Sequence, residues 1–155
     1  NDAKAGFVRQ LGAELAIDYH KQNFVEAIDT WTHGQGVDVV LDTVGGSVFR
    51  DSIPALAHYG TLVTLLEPGT DVVWKEARTR NLSIGFELML TPMLRDLPRA
   101  RAYQMQILDK CKALIEQGQL TIQVSQVLPL ADAARAHALI EAGGTQGKIV
   151  LKIAD

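Results

Sequence analysis

The chain of 155 residues is long enough for one domain with its own core. Its composition, with 47% apolar and 21% charged residues, is typical of globular proteins. Its 15 Lys and Arg are spread thinly against 18 Asp and Glu, a net charge of −3, which argues against a nucleic-acid partner. No apolar run approaches the roughly 20 residues of a membrane span, so we expect no membrane partner. The single cysteine cannot form an internal disulfide, and we expect a cytoplasmic protein.

Helix and strand signals alternate along the chain, because apolar residues recur at helical spacing in some segments and run continuously in others. The predicted helices are 2–11, 24–31, 48–56, 71–80, 98–117 and 131–142. The predicted strands are 15–19, 37–44, 61–66, 82–87, 122–128 and 148–153. This alternation predicts an α/β fold with a mostly parallel sheet and helices on both faces.

Polar residues and glycines set several of the predicted helix boundaries. Asn1 or Asp2 is suited to cap the first helix, and Gly12 is suited to end it. Ser47 is suited to cap the third helix, and Pro54 would either be tolerated within this helix or shorten it.

The segment VDVVLDTVGG, residues 37–46, places Asp42, Gly45 and Gly46 at the end of a predicted strand. The run has no polar alternation, which predicts a strand buried on both faces. Ligands of open parallel sheets bind beyond the carboxyl ends of the strands, and glycine there permits a sharp turn and close approach. Asp42 could accept hydrogen bonds from backbone N–H groups at such a site, or it could serve a purely local turn.

The beginning of the chain differs from that of a complete doubly wound domain. Such a domain opens with a strand and a glycine-rich phosphate-binding turn. This chain opens on a predicted helix and contains no G-x-G-x-x-G. We therefore expect that a segment precedes it.

Four stretches, taken in order, resemble one protein family. They are LGAELAIDY (11–19), GVDVVLDTVGG (36–46), GTLVTLL (60–66) and PLADAARAHALIEAGGTQGKIVLKI (129–153). Together they resemble the C-terminal half of medium-chain dehydrogenase/reductases, in the zinc-free quinone oxidoreductase or zeta-crystallin-like branch. The resemblance implies an incomplete Rossmann-like fold. Residues 1–118 would be the later part of the cofactor domain, and 119–155 would return to a catalytic domain.

The resemblance also implies a site for the nicotinamide half of NADPH. Thr43, Val44 and Gly45 match family positions at the end of the strand that lies beside this ring. Leu65 and Leu66 match the end of the neighbouring strand, where the backbone would contact the same ring.

Three further positions match the family's cofactor contacts. Lys4 and Tyr19 match the residues that hold the adenosine 2′-phosphate, where lysine supplies a positive charge and tyrosine a hydrogen bond or a stacking surface. Asp2 falls just past the acidic position that selects NAD, so NADH is the alternative cofactor. Lys148 matches a segment bordering the cofactor cleft, and the alternative is a lysine that protects a strand edge from aggregation.

The sequence offers little support for a metal site or a nucleophile. His20, His33, His58 and His137 share no ligand spacing with one another or with Cys111. Cys111 lies on the apolar stripe of a predicted helix, where we interpret it as a core residue. We expect no metal in this chain, and whether its parent protein binds zinc stays open.

The resemblance implies a parent enzyme that transfers hydride from NADPH to a quinone or to an enone or alkene, with this chain alone inactive. No catalytic residue is assigned. The alternatives are a non-catalytic, crystallin-like binding or structural protein on the same fold, and a relative of zinc-dependent alcohol dehydrogenases. A methyltransferase-like domain is a further alternative, against which the TQGKIVLKI tail argues. Residues 82–87, at a predicted sheet edge, would pair with a second copy to form a homodimer.

Overall fold

The computed structural model describes residues 2–154, apart from the side chain of Asp2, so the cap predicted at Asn1 or Asp2 lies outside the described residues. The chain forms two compact units, one up to Arg95 and one from Asp96. The first contains α1 (Asp2–Gln10), α2 (Phe24–Trp31), β1 (Val37–Asp42), α3 (Gly46–Ser52), β2 (Leu56–Thr64), α4 (Trp74–Thr79), β3 (Ser83–Phe86) and α5 (Thr91–Leu94). The second contains α6 (Pro98–Glu116), β4 (Val124–Pro129), a 3-10 turn (Leu130–Asp132), α7 (Ala133–Glu141) and β5 (Lys148–Lys152).

The first unit is built on a parallel sheet with the strand order β1-β2-β3. Asp42 pairs with Thr64 and Thr64 with Phe86, so the carboxyl ends of the three strands lie side by side. Strand β3 is an edge strand among the described residues, which confirms the edge position predicted for residues 82–87. The predicted parallel α/β architecture is confirmed.

One face of this sheet carries the core of the first unit. Val40, Leu62 and Ile84 lie side by side across the three strands and pack with Phe49 of α3 and Ala77 of α4. Phe49 and Leu62 are fully buried. Burying each of these side chains stabilises the fold by about 1.5–3 kcal/mol.

The opposite face of β1 is open to solvent. Val39 and Leu41 are 66% and 63% exposed, so the prediction that both faces of this strand are buried is wrong for the described chain. Successive side chains of a strand point to opposite faces, and α3 and α4 pack on the face that carries Val40.

Two predicted strands differ from the observed ones. Residues 15–19 form an irregular segment, because a strand requires a hydrogen-bonded neighbour and β1 pairs only with β2 among the described residues. Strand β2 begins at Leu56 rather than at Thr61. A bulge separates the pairs Val37–Leu56 and Val39–Thr61, and it lets the earlier residues join the strand.

Helix α3 begins differently from its prediction. Its cap position is not filled by Ser47, because the helix starts at Gly46 and the Gly46 N–H donates to the Glu67 carbonyl oxygen at 2.9 Å. The loop after β2 therefore provides the acceptor that a capping side chain would supply. The helix ends at Ser52, before Pro54, so of the two alternatives for this proline the structure shows the shorter helix.

The second unit contains a parallel β-α-β arrangement of β4, α7 and β5. Leu128 of β4 and Ala136 of α7 are its buried apolar residues within the described chain. Helix α6 begins at Pro98, as predicted, but contains no buried residue. Cys111 on this helix is half-buried, so its interpretation as a core residue is wrong for the described chain.

Candidate functional site

A buried carboxylate lies at the carboxyl end of β1, where the sequence predicted a ligand-binding rim. Asp42 is only 3% exposed. Its Oδ1 accepts hydrogen bonds from the backbone N–H groups of Val44 at 2.9 Å and Gly45 at 3.0 Å. The Asp42 side chain therefore fixes the loop that follows its own strand, as the local-turn interpretation predicted.

Asp42 also holds the loop that follows the neighbouring strand. The Thr64 hydroxyl donates to Asp42 Oδ2 at 2.8 Å and accepts from the Leu66 N–H at 3.2 Å. The Leu65 N–H donates to the Asp42 carbonyl oxygen at 3.0 Å. One aspartate thus connects two loops that leave adjacent parallel strands.

The electrostatics of Asp42 favour its ionised form. Burial acts to raise the pKa of this carboxyl, but the hydrogen bonds from Gly45, Val44 and Thr64 outweigh it and hold the pKa below its usual value. A charged acceptor makes hydrogen bonds about twice as strong as those between neutral groups. The two loops are therefore held together by an anion at their base.

Gly45 occupies a position that other residues cannot take without strain. Its φ is +75°, and an added Cβ atom would lie 2.7 Å from the Glu67 carbonyl oxygen and 2.9 Å from the Leu66 Cβ atom. The next residue, Gly46, donates to that same carbonyl oxygen. Glycine at this position allows the two loops to approach each other closely.

The rim is the surface formed by Thr43, Val44, Gly45, Leu65 and Leu66. The structure places these five predicted cofactor residues together on the two loops held by Asp42. Gly45 is buried at the base of the rim, and the other four residues are exposed, Val44 to 62%. The rim lies beyond the carboxyl ends of two parallel strands, where open parallel sheets bind their ligands.

A second predicted group meets in a surface cleft of about 390 Å³ in the first unit, which we call the adenosine cleft after the contact predicted for two of its residues. Its lining residues are Lys4, Ala5, Val8, Ala16, Ile17, Asp18, Tyr19 and His20. Lys4 of α1 and Tyr19 of the irregular segment 15–19 are both exposed in it. The two residues predicted to contact the 2′-phosphate are thus brought to one surface.

Lys148 is the first residue of β5, in the second unit. Its side chain is exposed, and its backbone N–H donates to the Gln123 carbonyl oxygen at 2.8 Å. The Ser125 hydroxyl donates to the Lys148 carbonyl oxygen at 3.1 Å. These contacts fix the start of the strand. The role of Lys148 beside the cofactor stays a prediction.

Sequence reasoning missed two residues of these sites. Thr64 was placed within a strand, and its contact with Asp42 depends on the register across the β2 bulge. His20 was considered only as a metal ligand, although it follows Tyr19 directly. The polar residues Asp18, His20 and Lys21 around Tyr19 were the available signal for a polar cleft.

Residues 2–154 contain neither a cluster of metal ligands nor a helix that could span a membrane. Among residues 2–154, no three side chains of His, Cys, Asp or Glu gather as ligands for a metal ion. In that part of the chain, every helix is too short or too polar to cross a bilayer.

Comparisons with known proteins place these features in a family. The sequence profile described as zinc-binding dehydrogenase matches residues 11–151. The chain is 32% identical over 152 residues to a quinone oxidoreductase of Pseudomonas aeruginosa, covering 96% of this chain and 45% of that protein. It is 31% identical over 160 residues to a 2-haloacrylate reductase of Burkholderia sp, covering 97% of this chain and 45% of that protein.

The solved structures agree with the sequence relatives. An alcohol dehydrogenase superfamily protein from Novosphingobium aromaticivorans superposes with a TM-score of 0.83 at 25% identity, over 98% of this chain and 46% of that one. The chain thus spans slightly less than half the length of the relatives it matches. Because the profile covers most of the chain, including both loops of the rim, the chain belongs to the zinc-binding dehydrogenase family, in the quinone oxidoreductase branch of the medium-chain dehydrogenase/reductases.

Proposed function

We propose that the chain is the cofactor-binding portion of a cytoplasmic, NADPH-dependent oxidoreductase that reduces a quinone or the double bond of an enone or alkene. The observation that carries the choice of cofactor is the meeting of Lys4 and Tyr19 in one cleft. A lysine beside an aromatic hydroxyl suits a phosphate group, which NADPH carries and NADH lacks.

The rim would contact the nicotinamide half of the cofactor mainly through acceptors. The N–H groups of Val44, Gly45, Gly46, Leu65 and Leu66 already donate within the protein. The exposed Thr43 hydroxyl and the carbonyl oxygens of the two loops, which can each accept two hydrogen bonds, are thus polar groups suited to a ligand. They match the donor NH₂ of a carboxamide, which is the polar group of nicotinamide.

The side chains of the rim would limit the access of water to the reacting ring. Val44, Leu65 and Leu66 are apolar and exposed, so a planar ligand lying on them would cover apolar surface on both partners. NADPH would supply the hydride, and the protein would supply orientation and exclusion of water. The substrate class follows the relatives, which are named for quinones and for a haloacrylate.

Two further predictions belong to this proposal. Lys148 would border the cofactor. Residues 1–118 would be the later part of a Rossmann domain in a longer protein, and 119–155 would return to its catalytic domain. We propose both on the family resemblance alone.

The proposal is tested by assaying NADPH oxidation in the presence of a benzoquinone or an enone. We expect the intact protein, meaning the full gene product in which these residues occur, to turn over with NADPH and less well with NADH. We expect the 155-residue chain alone to be inactive and to bind NADPH weakly, because it carries no glycine-rich turn for the pyrophosphate. An intact protein that binds neither cofactor would contradict the proposal.

We further propose that the chain forms a homodimer through β3. This strand lies at the edge of the sheet, and Phe86 on it is 64% exposed. An exposed apolar edge strand offers unpaired backbone groups to a second copy, and a two-fold contact would close the assembly.

The dimer is tested by light scattering at tens of micromolar chain. We expect a dimeric mass for the unaltered chain and a monomeric mass for Phe86→Lys, because a charge on an edge strand opposes pairing. Leu11→Lys serves as the control, since Leu11 is also exposed and lies just after α1. A monomeric mass for the unaltered chain, or a dimeric Phe86→Lys, would contradict this interface.

A further inference from the structure

The adenosine cleft contains a histidine that is not among the predicted cofactor contacts. His20 lines this cleft together with Lys4 and Tyr19. Its ring lies against the Tyr19 ring, with centroids 4.2 Å apart and planes inclined by 42°. The imidazole is thus held beside the tyrosine that is predicted to contact phosphate.

The backbone around His20 is fixed by a tight turn. The His20 N–H donates to Asp18 Oδ1 at 3.2 Å. The Asp18 carbonyl oxygen accepts from the N–H groups of Lys21 at 2.9 Å and Gln22 at 3.2 Å. Because Asp18 accepts these three hydrogen bonds, the backbone that carries the His20 side chain is held in place.

The charges around the cleft explain why a second cation would matter. The hydrogen bond from the His20 N–H holds the pKa of Asp18 below its usual value, so this carboxylate stays charged beside the cleft. Lys21 approaches Asp18 at 3.7 Å and offsets part of this negative charge, so Lys4 and Lys21 face one carboxylate around the cleft. A further donor from His20 would add to the attraction of this surface for a phosphate dianion.

We infer that His20 is a third contact for the phosphate monoester, and that it makes cofactor selection depend on pH. The inference rests on the proposed NADPH cofactor and adds a specificity-determining residue to it. Lys4, Tyr19 and His20 would surround the phosphate with a fixed cation, a neutral donor and a titratable donor. Hydrogen bonds from an imidazolium are stronger than those from a neutral imidazole.

The pH dependence has two sources that must be separated. Histidine as a residue type changes charge between pH 5 and 8. A phosphate monoester loses its second proton near pH 6, which strengthens its binding as the pH rises. A variant with a permanent charge at position 20 retains only the second effect, so comparison with it isolates the histidine.

The experiment measures NADPH and NADH dissociation constants of the intact protein at pH 6 and pH 8 by fluorescence titration. The variants are His20→Gln, His20→Arg and the control His58→Gln, since His58 is exposed in the first unit and outside the cleft lining. At pH 6 we expect His20→Gln to lower the NADPH over NADH preference about fivefold, which corresponds to about 1 kcal/mol. At pH 8 we expect it to change that preference less than twofold.

The variant His20→Arg should keep a strong NADPH preference at both values of pH, and His58→Gln should match the unaltered protein. If the unaltered protein prefers NADPH and His20→Gln matches it at both values of pH, the role of His20 is overturned while the proposed cofactor stands. If the unaltered protein shows no preference for NADPH at either pH, the proposed cofactor and the inference fall together.

Discussion

Replacing Asp42 with alanine is expected to destabilise the first unit by about 3 kcal/mol. The change removes the acceptor for the Val44 and Gly45 N–H groups and for the Thr64 hydroxyl, at a site that is 3% exposed. Buried donors without an acceptor cost about 1–3 kcal/mol each, and part of this cost would be recovered as water enters. Asp42→Asn keeps one acceptor oxygen and should cost less than the alanine variant.

Urea unfolding followed by tryptophan fluorescence is suited to this measurement. Both tryptophans of the chain, Trp31 and Trp74, lie in the first unit, so their emission reports on the unit that contains Asp42. Asp38→Ala is the matched control, because Asp38 lies on the same strand and is exposed. Equal midpoints for Asp42→Ala and Asp38→Ala would show that the carboxylate does not hold the two loops.

The stabilisation by Asp42 should depend on pH in a direction set by its pKa. The folded-state pKa lies below the ordinary value of 3.8, because the hydrogen bonds from Gly45, Val44 and Thr64 outweigh the effect of burial. The folded state therefore favours the charged form, and its advantage is fully present above about pH 4. The difference in stability between the unaltered chain and Asp42→Asn should shrink as the pH falls from there through the folded-state pKa.

Local signals explain which elements could be predicted from the sequence. Helix α2 occupies Phe24–Trp31 as predicted, and the Asn23 side chain caps it by accepting from the N–H groups of Val25 and Glu26. Helix α6 starts at Pro98, where a missing N–H has no cost. Such signals lie within a few residues of the boundary they set, so one sequence is enough to find them.

Non-local contacts explain what could not be predicted. Residues 15–19 have strand composition, but a strand depends on a neighbour that no local pattern reveals. The exposure of Val39 and Leu41 likewise depends on what covers that face of the sheet. Local composition sets the tendency to form an element, and the elements available beside it decide the outcome.

The candidate sites divide in the same way. Asp42 at a strand end could be recognised, because Asp followed by Gly is typical of the tight turns that leave parallel strands, beside the place where ligands bind. Its partner Thr64 could not, because the pairing of these residues follows a bulge that shifts the register. The grouping of Lys4 and Tyr19 rested on family resemblance, since nothing in the intervening sequence fixes their separation in space.

Lys4→Ala in the intact protein is expected to weaken NADPH binding about 10- to 100-fold and NADH binding less than about twofold. A charge-assisted hydrogen bond contributes about 1.5–3 kcal/mol, and each 1.4 kcal/mol is tenfold in affinity. The proposed partner of Lys4, the 2′-phosphate, exists only in NADPH, so the loss should be selective. Alanine is the best helix former, and Lys4 is exposed on α1, so the helix should persist in the variant.

Fluorescence titration of both cofactors, with Arg9→Ala as the control, makes this prediction specific. Arg9 lies in the last turn of the same helix, is exposed, and is not among the residues that line the adenosine cleft. Its removal changes the net charge by the same amount as Lys4→Ala, so it reproduces any long-range electrostatic effect on an anionic cofactor.

Loss of NADPH affinity in both variants would indicate general electrostatic attraction between the protein and the cofactor. Equal losses of NADPH and NADH in Lys4→Ala alone would place the lysine near a group that the two cofactors share. Only a selective loss in Lys4→Ala assigns it to the 2′-phosphate.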